Sequence, residues 1–329
     1  MSRRPSSNSK SSRRMRMVAP EMLVARLELL RGGFVESRHD IAFAEVSPGG
    51  AAGAARDAGP LVCLRSMAKP FQAVAALDDG TAEAFGLSGL HIAAACGIHQ
   101  SDPVHEELVL EMLDLAQVTP DHLRCGELLI SGKPSATAHY CAANHALVLL
   151  HCRQRGWPVD GYEDAGHPAQ QAAATVLARC AAVDCEAIGR AIDNCAMPAL
   201  FLPLGAVARA YGRLAVDGGS AATVAEAMRS HPQLVGGNGV IDSEVMRQLP
   251  GSLAKMGAEG LIAFALADGR AFAVKVRDGA ERAVAPALLG LLRVAGVAVP
   301  DALAEEGSPR LLRSHDHAPI GELRFEVDS

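Results

Sequence analysis

Aromatic side chains are scarce in this chain, at 4% of its residues with a single Trp. So few rings leave little for bases to stack on, and a formal net charge of -6 at pH 7 supplies no dominant basic surface. A nucleic-acid partner is therefore not expected. No apolar run approaches the roughly 20 residues of a membrane span, so a membrane partner is not expected either. The opening segment MSRRPSSNSKSSRRMRM is basic and Ser-rich but leads into no apolar core, which is not the pattern of a secretory signal. It reads as a disordered tail over residues 1–20, ahead of a single domain over 21–329. A cytoplasmic location follows as the expectation.

Other signals are missing too. The eight cysteines (Cys63, Cys96, Cys125, Cys141, Cys152, Cys180, Cys185 and Cys195) lack the close, regular spacing of a small secreted scaffold. Reduced thiols, metal ligands or a catalytic thiol are better readings than disulfides. No His-Glu-x-x-His pair occurs among the scattered histidines. Gly236, Gly237 and Gly239 follow no strand signal and precede no Lys-Ser/Thr, so they read as a loop rather than a phosphate cradle.

What is present is an ordinary globular composition, 49% hydrophobic and 21% charged over 329 residues. A chain of this length buries roughly 75% of the surface its unfolded form exposes. Apolar patterning predicts two strands between Leu23 and Val46 and a short strand at Leu61–Leu64. Helices are predicted from about Ser66 to Leu77 and over Ser88–Cys96, Pro103–Gln117, Cys141–Arg155, His167–Val183, Leu202–Leu214, Ala221–Ser230 and Pro286–Ala295. Cys125–Thr137 reads as loop. Leu261–Leu266 and Ala271–Val276 flank the turn residues Asp268 and Gly269 and predict an antiparallel hairpin. Leu323–Val327 predicts a last strand. The order strands, helices, strands implies an α+β domain, with a mixed sheet fed by both chain ends and a helical subdomain.

Two short motifs carry chemistry. In Arg65-Ser66-Met67-Ala68-Lys69-Pro70, Ser66 and Lys69 are three residues apart at a helix start and share a face. The positive helix end favours an alkoxide at Ser66. A partly desolvated Lys69 can take its proton, the Ser-x-x-Lys device of penicillin-recognising enzymes. Late in the chain, Lys255-Met256-Gly257 stands beside the predicted hairpin, a partial match to the Lys-Thr-Gly of the same enzymes.

With RGGFVESRH (Arg31–His39), RSMAKPFQ, FGLS (Phe85–Ser88), GWPVDGYEDAGHPAQQ (Gly156–Gln171) and KMGAEG, all in consistent order, the chain resembles the L-asparaginase II family, the rhizobial inducible type. The resemblance spans roughly residues 22–328. It implies a serine β-lactamase-like and glutaminase-like fold, with a mainly antiparallel sheet covered by helices. It also implies hydrolysis of L-asparagine to aspartate and ammonia, a homodimer, and in some members zinc near the active site. By the same resemblance Ser66 and Lys69 are the nucleophile pair and Lys255 assists them. Arg65, His99, His145 and Asp193 bind the small-molecule amide substrate. Cys141 and Cys195 are the metal cysteines.

The chain also departs from the family pattern. A Ser expected beside His99 is Ile98, with Ser101 nearby, and a Lys expected near the metal is Asn144. Ala199 and Val240 replace a usual Asn and Arg. Polar residues thus give way mostly to apolar ones, each worth roughly 1–3 kcal/mol of substrate binding. Two functions follow: an asparaginase-like amidohydrolase, or a family member with impaired catalysis that binds a small molecule or regulates.

Overall fold

The computed structural model describes residues 24–48, 59–130, 132–306, 311–313, 315–316 and 318–327. The tail expected over residues 1–20 lies outside them, as does most of the Ser47–Gly59 loop. The domain expected over 21–329 is described from Val24 onward.

Strand β1 (Val24–Arg31) turns through Gly32 and Gly33, both at positive φ, into β2 (Phe34–Val46). The motif Arg31–His39 is the corner of this hairpin. After β3 (Leu61–Cys63) comes a largely helical stretch: α1 (Lys69–Asp78), α2 (Thr81–Phe85), α3 (Gly89–Cys96) and α4 (Pro103–Leu115). The small hairpin β4 (Leu128–Ile130) and β5 (Lys133–Ser135) precedes α5 (Ala142–Arg155) and α6 (Pro168–Ala181). Strands β6 (Gly189–Ile192) and β7 (Pro198–Pro203) lead to α7 (Leu204–Val216), α8 (Ser220–Ser230), α9 (Pro232–Val235) and α10 (Ile241–Gln248). The chain closes with β8 (Leu253–Met256), β9 (Leu261–Ala265), β10 (Ala271–Val276), α11 (Val284–Val294), α12 (Asp301–Glu306), β11 (Leu311–Arg313) and β12 (Pro319–Val327).

The main sheet runs β11-β12-β1-β2-β10-β9-β8 and is antiparallel at every pairing. Both chain ends feed it, as the element order implied. Its register explains why the central strands are apolar on both faces. Leu27 pairs with Phe325 and His39, and Ile41 pairs with Val276, so Phe325 and Val276 share one face. Ala271, five residues from Val276, points to the other. Helix α7 covers the Ala271 face: a Cβ at Gly212 would come within 3.0 Å of the Ala271 Cβ. Helix α11 covers the Phe325 face, where a Cβ at Gly290 would lie 2.4 Å from the Phe325 ring. These close approaches are why β9 is buried along its whole length.

A smaller antiparallel sheet, β3-β7-β6, sits apart from the main one and launches the segment that carries Ser66. Predicted loop and helix give way at two places. Cys125–Thr137 contains the β4–β5 hairpin, and Leu202 lies in β7, which runs to Pro203 before α7 begins at Leu204. No helix among the described residues is long and apolar enough to cross a membrane.

Candidate active site

Strand β3 delivers the chain to Leu64, whose N–H donates to Leu200 O at 2.8 Å. Arg65 follows at φ 49°, a left-handed conformation that costs a side-chain-bearing residue strain. That corner starts a single 3₁₀ turn, Arg65–Ala68, which runs straight into α1. Pro70 is accommodated because it falls in the first turn of α1. Ser66 is half-buried at this start. Met67 is fully buried beneath it, and the Tyr211 hydroxyl donates to Met67 O at 2.9 Å, bracing the turn from inside.

Lys69, one turn on, is only 4% exposed. Its Nζ donates to Gly97 O at 2.6 Å and to Tyr140 O at 3.1 Å. An ammonium carries three N–H groups, so one position stays unengaged. No hydrogen bond joins Ser66 Oγ to Lys69 Nζ among the described contacts. Catalytic hydrogen bonds of this kind often close only once substrate is bound.

The end of β8 packs against the Ser66 turn. A Cβ at Gly257 would lie 2.9 Å from Leu64 O and 3.2 Å from both Cγ and Sδ of Met67. The motif's glycine is therefore required by close backbone approach. Gly257 N–H is used in the β8–β9 hairpin, bonded to Leu261 O at 2.8 Å. Among the described residues, the N–H groups of Ser66 and Ala258 donate to no protein group, while both residues line one cavity.

That cavity has a volume of about 620 Å³. Ser66, Lys69, Arg65, Asp193, Cys141 and Cys195 all line it. Sequence positions from 65 to 195 thus meet at one cavity. Arg65 Nε donates to Asp193 Oδ1 at 2.8 Å. Asp193 is held in a tight turn by its own N–H to Met197 O at 2.8 Å, with Asn194 N–H donating to its Oδ1 at 2.6 Å.

A model of the L-asparaginase II family matches residues 27–325. The chain belongs to the L-asparaginase II family. Membership supports an amidohydrolase-type function. A search of curated proteins finds no significant match. Among solved structures, a β-lactamase from Mycobacterium bovis aligns at 15% identity, covering 79% of this chain and 89% of its own, with a TM-score of 0.32.

Three other expected site residues of this L-asparaginase II family member do not line the cavity. Lys255 is fully buried, its Nζ 3.3 Å from Asp242 Oδ2 and 2.9 Å from Met256 O. Burial pulls its ammonium below the usual range, against the pull of Asp242. Asp242 Oδ2 also accepts from Met256 N–H at 2.9 Å, so the pair fixes the strand end that presents Gly257 and Ala258. His145 bonds through Nδ1 to the Tyr162 hydroxyl at 2.7 Å, and burial lowers its pKa to about 3. His99 accepts from Ser101 N–H at 2.7 Å, and burial, helped by His105, lowers its pKa to about 4. Ile98 does line the cavity, and Ser101 Oγ is turned away to Ala138 O at 3.0 Å. Ser101 thus supplies no hydroxyl where the family's second Ser is expected.

All eight cysteines carry free thiols. The Cys195 thiol donates to the Cys141 sulfur, which is the main reason Cys141 titrates well below the usual thiol range. Burial opposes this, while the Lys69 charge and a His139 hydrogen bond add to it. The same bond, together with burial, pushes Cys195 up. Zinc requires three protein ligands at an open catalytic site and four at a closed one, and this pair supplies two. Among the described residues no three His, Cys, Asp or Glu side chains converge as a metal group. Asn144 lines the cavity one turn into α5, and its Nδ2 is a donor without a partner, not a ligand. The donor set does not fit zinc.

The sequence reading missed Ala258, His139, Tyr140 and Met197, which line the cavity as well. Only Ala258 had a signal, as the residue after the Lys-x-Gly motif.

Proposed function

We propose that this protein hydrolyses L-asparagine or a related small amide to the acid and ammonia, with Ser66 as nucleophile and Lys69 as its base. One observation carries this reading. Ser66 and Lys69 line one cavity together with Ala258, and the backbone N–H groups of Ser66 and Ala258 donate to no protein group among the described residues.

Ser66 Oγ attacks the amide carbonyl carbon while Lys69 Nζ takes the hydroxyl proton. The carbonyl oxygen gains negative charge and is met by the Ser66 and Ala258 N–H groups. Such preorganised donors typically contribute about 2.7–4 kcal/mol each to the barrier. The tetrahedral adduct collapses, the C–N bond breaks, and Lys69 returns the proton to the departing ammonia. Water then adds to the acyl-Ser66 ester, with Lys69 again as base, and releases the acid. Arg65 offers an amino-acid carboxylate a guanidinium, and Asp193 offers its ammonium a carboxylate. Asn144 is only 2% exposed, and its Nδ2, without a partner among the described residues, offers a donor to an acceptor on the substrate. Lys255 acts as a positioning residue through Asp242 and Met256.

A binding or regulatory role without catalysis is favoured by one observation, the apolar Ile98 in the cavity wall. The two readings part on Ser66→Ala. Amidohydrolysis predicts loss of all turnover in a variant that still folds. A pure binding role predicts no Ser66-dependent release from any amide by the wild-type protein.

A further inference from the structure

Lys69 Nζ is held by two carbonyls, Gly97 O at 2.6 Å and Tyr140 O at 3.1 Å. Ile98 is the residue after Gly97, and both Ile98 and Tyr140 line the cavity. The amine that serves Ser66 is thus bordered by an aliphatic and an aromatic side chain. The backbone of Ile98 is held on both sides. Its N–H donates to Val235 O at 3.0 Å, and its carbonyl accepts from Gln100 Nε2 at 2.8 Å. His99 N–H donates to Tyr140 O at 3.1 Å, tying the two lining segments together. Gly97 is pressed against the chain before α9 is complete, since a Cβ there would fall 1.9 Å from Leu234 O. This backbone has little freedom to turn Ile98 away, and a β-branched side chain is stiff at χ1. Tyr140 is 53% exposed and so stands at the cavity mouth. Met197 and Met256 add adaptable apolar wall. Size points the same way. Even at the loose packing of liquid water, roughly 30 Å³ for each non-hydrogen atom, asparagine fills less than half of the 620 Å³.

We propose that the substrate is a secondary amide, the side-chain amide of an acidic amino acid whose nitrogen carries an apolar group, and that Ile98 and Tyr140 select that group. The proposal rests on the amidohydrolase reading above. In that reading each part of the tetrahedral adduct has its place. The oxygen meets the Ser66 and Ala258 N–H groups, the amino-acid end meets Arg65 and Asp193, and the nitrogen faces Lys69. A substituent on that nitrogen extends past Lys69 to its neighbours, which are Ile98 and Tyr140. An unsubstituted nitrogen leaves both side chains against water, whereas an alkyl or benzyl group covers them and gains the free energy of apolar burial. On collapse the C–N bond breaks, and the nitrogen takes from Lys69 the proton that Ser66 gave up. It leaves as a primary amine. Water then supplies the acid's second oxygen and returns a proton to Ser66 Oγ. One amide and one water thus become one acid and one amine.

The test measures kcat/KM of the full chain for L-asparagine, L-glutamine and the N-methyl and N-butyl derivatives of their side-chain amides. Release of aspartate or glutamate is the common readout, with Ser66→Ala as the blank. The expected result is a rise of at least about tenfold from an unsubstituted amide to its N-butyl derivative, because a single methylene in an apolar pocket is worth about tenfold or more. Ile98→Ala should cut the ratio of N-butyl to unsubstituted amide by about fivefold, and Ile98→Leu, which keeps the apolar volume, should preserve it. A kcat/KM for L-asparagine or L-glutamine that equals or exceeds that of the derivatives overturns the proposal and leaves the amidohydrolase reading standing. A ratio unmoved in an Ile98→Ala protein of wild-type urea midpoint overturns the role of Ile98. Release from none of these amides overturns the proposal, and the amidohydrolase reading falls with it only if a panel of simple small amides is inert as well.

Discussion

Gly257→Ala places one methyl group where the fold has no room for it. The new Cβ would stand 2.9 Å from Leu64 O and 3.2 Å from two atoms of Met67, inside normal contact by several tenths of an ångström. Leu64 O is backbone and already accepts from Met67 N–H at 2.9 Å. Met67 is fully buried and has nowhere to retreat. The strand end must therefore move, and Ala258 N–H moves with it, away from the Ser66 turn. Overpacking of this kind costs about 1–3 kcal/mol of stability. Misplacing an oxyanion donor by a fraction of an ångström lowers kcat by roughly 10- to 100-fold. Urea unfolding reads the first quantity, and ammonia release from the preferred amide reads the second. KM should change little, because the substrate anchoring proposed for Arg65 and Asp193 is untouched. A Gly257→Ala protein with wild-type stability and kcat would refute the close-approach argument and the role given to Ala258.

Three further outcomes follow. Lys255→Met leaves Asp242 buried without its cation and should destabilise the fold by about 3–5 kcal/mol, whereas Lys255→Met with Asp242→Asn should recover part of that loss; equal losses in the single and double variants would remove the ion pair from the account. His99 and His145 are held neutral in the fold, with pKa values of about 4 and about 3, while the unfolded chain takes up their protons near pH 6.5. The unfolded state thus binds more protons below pH 6.5, so stability is fully present above it and falls by about 1.4 kcal/mol per pH unit for each group toward pH 4; unfolding free energies at pH 7 and pH 5 that agree would contradict this. Tyr162→Phe strips the hydroxyl that bonds His145 Nδ1 and Arg124 N–H at 2.9 Å and should cost about 1–3 kcal/mol, with thermal unfolding as the readout and an unchanged midpoint as the contrary result.

The hairpins at both ends of the chain and the helix behind Ser66 were legible because their signals are local. Gly32-Gly33 and Asp268-Gly269 punctuate alternating strands, and Pro70 marks a first turn. The β3-β7-β6 sheet was not. Ala199, Leu200, Phe201 and Leu202 form a continuous apolar run that periodicity cannot assign to strand or helix. The β4–β5 strands are three residues each, too short to show any period. Within the site, Ser66 and Lys69 were readable because three residues in a helix share a face. Lys255 was placed in the cavity by its motif, but along β8 its side chain turns inward to Asp242 while Met256, Gly257 and Ala258 meet the cavity. His145 follows Cys141 by one helical turn, yet α5 is buried from Ala142 to Cys152, so its faces lead to different neighbours. Cys141 with Cys195, and Ser66 with Ala258, are partnerships made only by the folded chain.

The central claim is that Ser66 performs amide hydrolysis in this cavity. Ammonia release from L-asparagine, L-glutamine and a panel of small amides, wild type against Ser66→Ala, tests it most directly. Release from at least one amide by the wild type, abolished in a variant that unfolds at the same urea concentration, is the predicted result. Release that survives in Ser66→Ala, or none from any amide by the folded wild type, would contradict it.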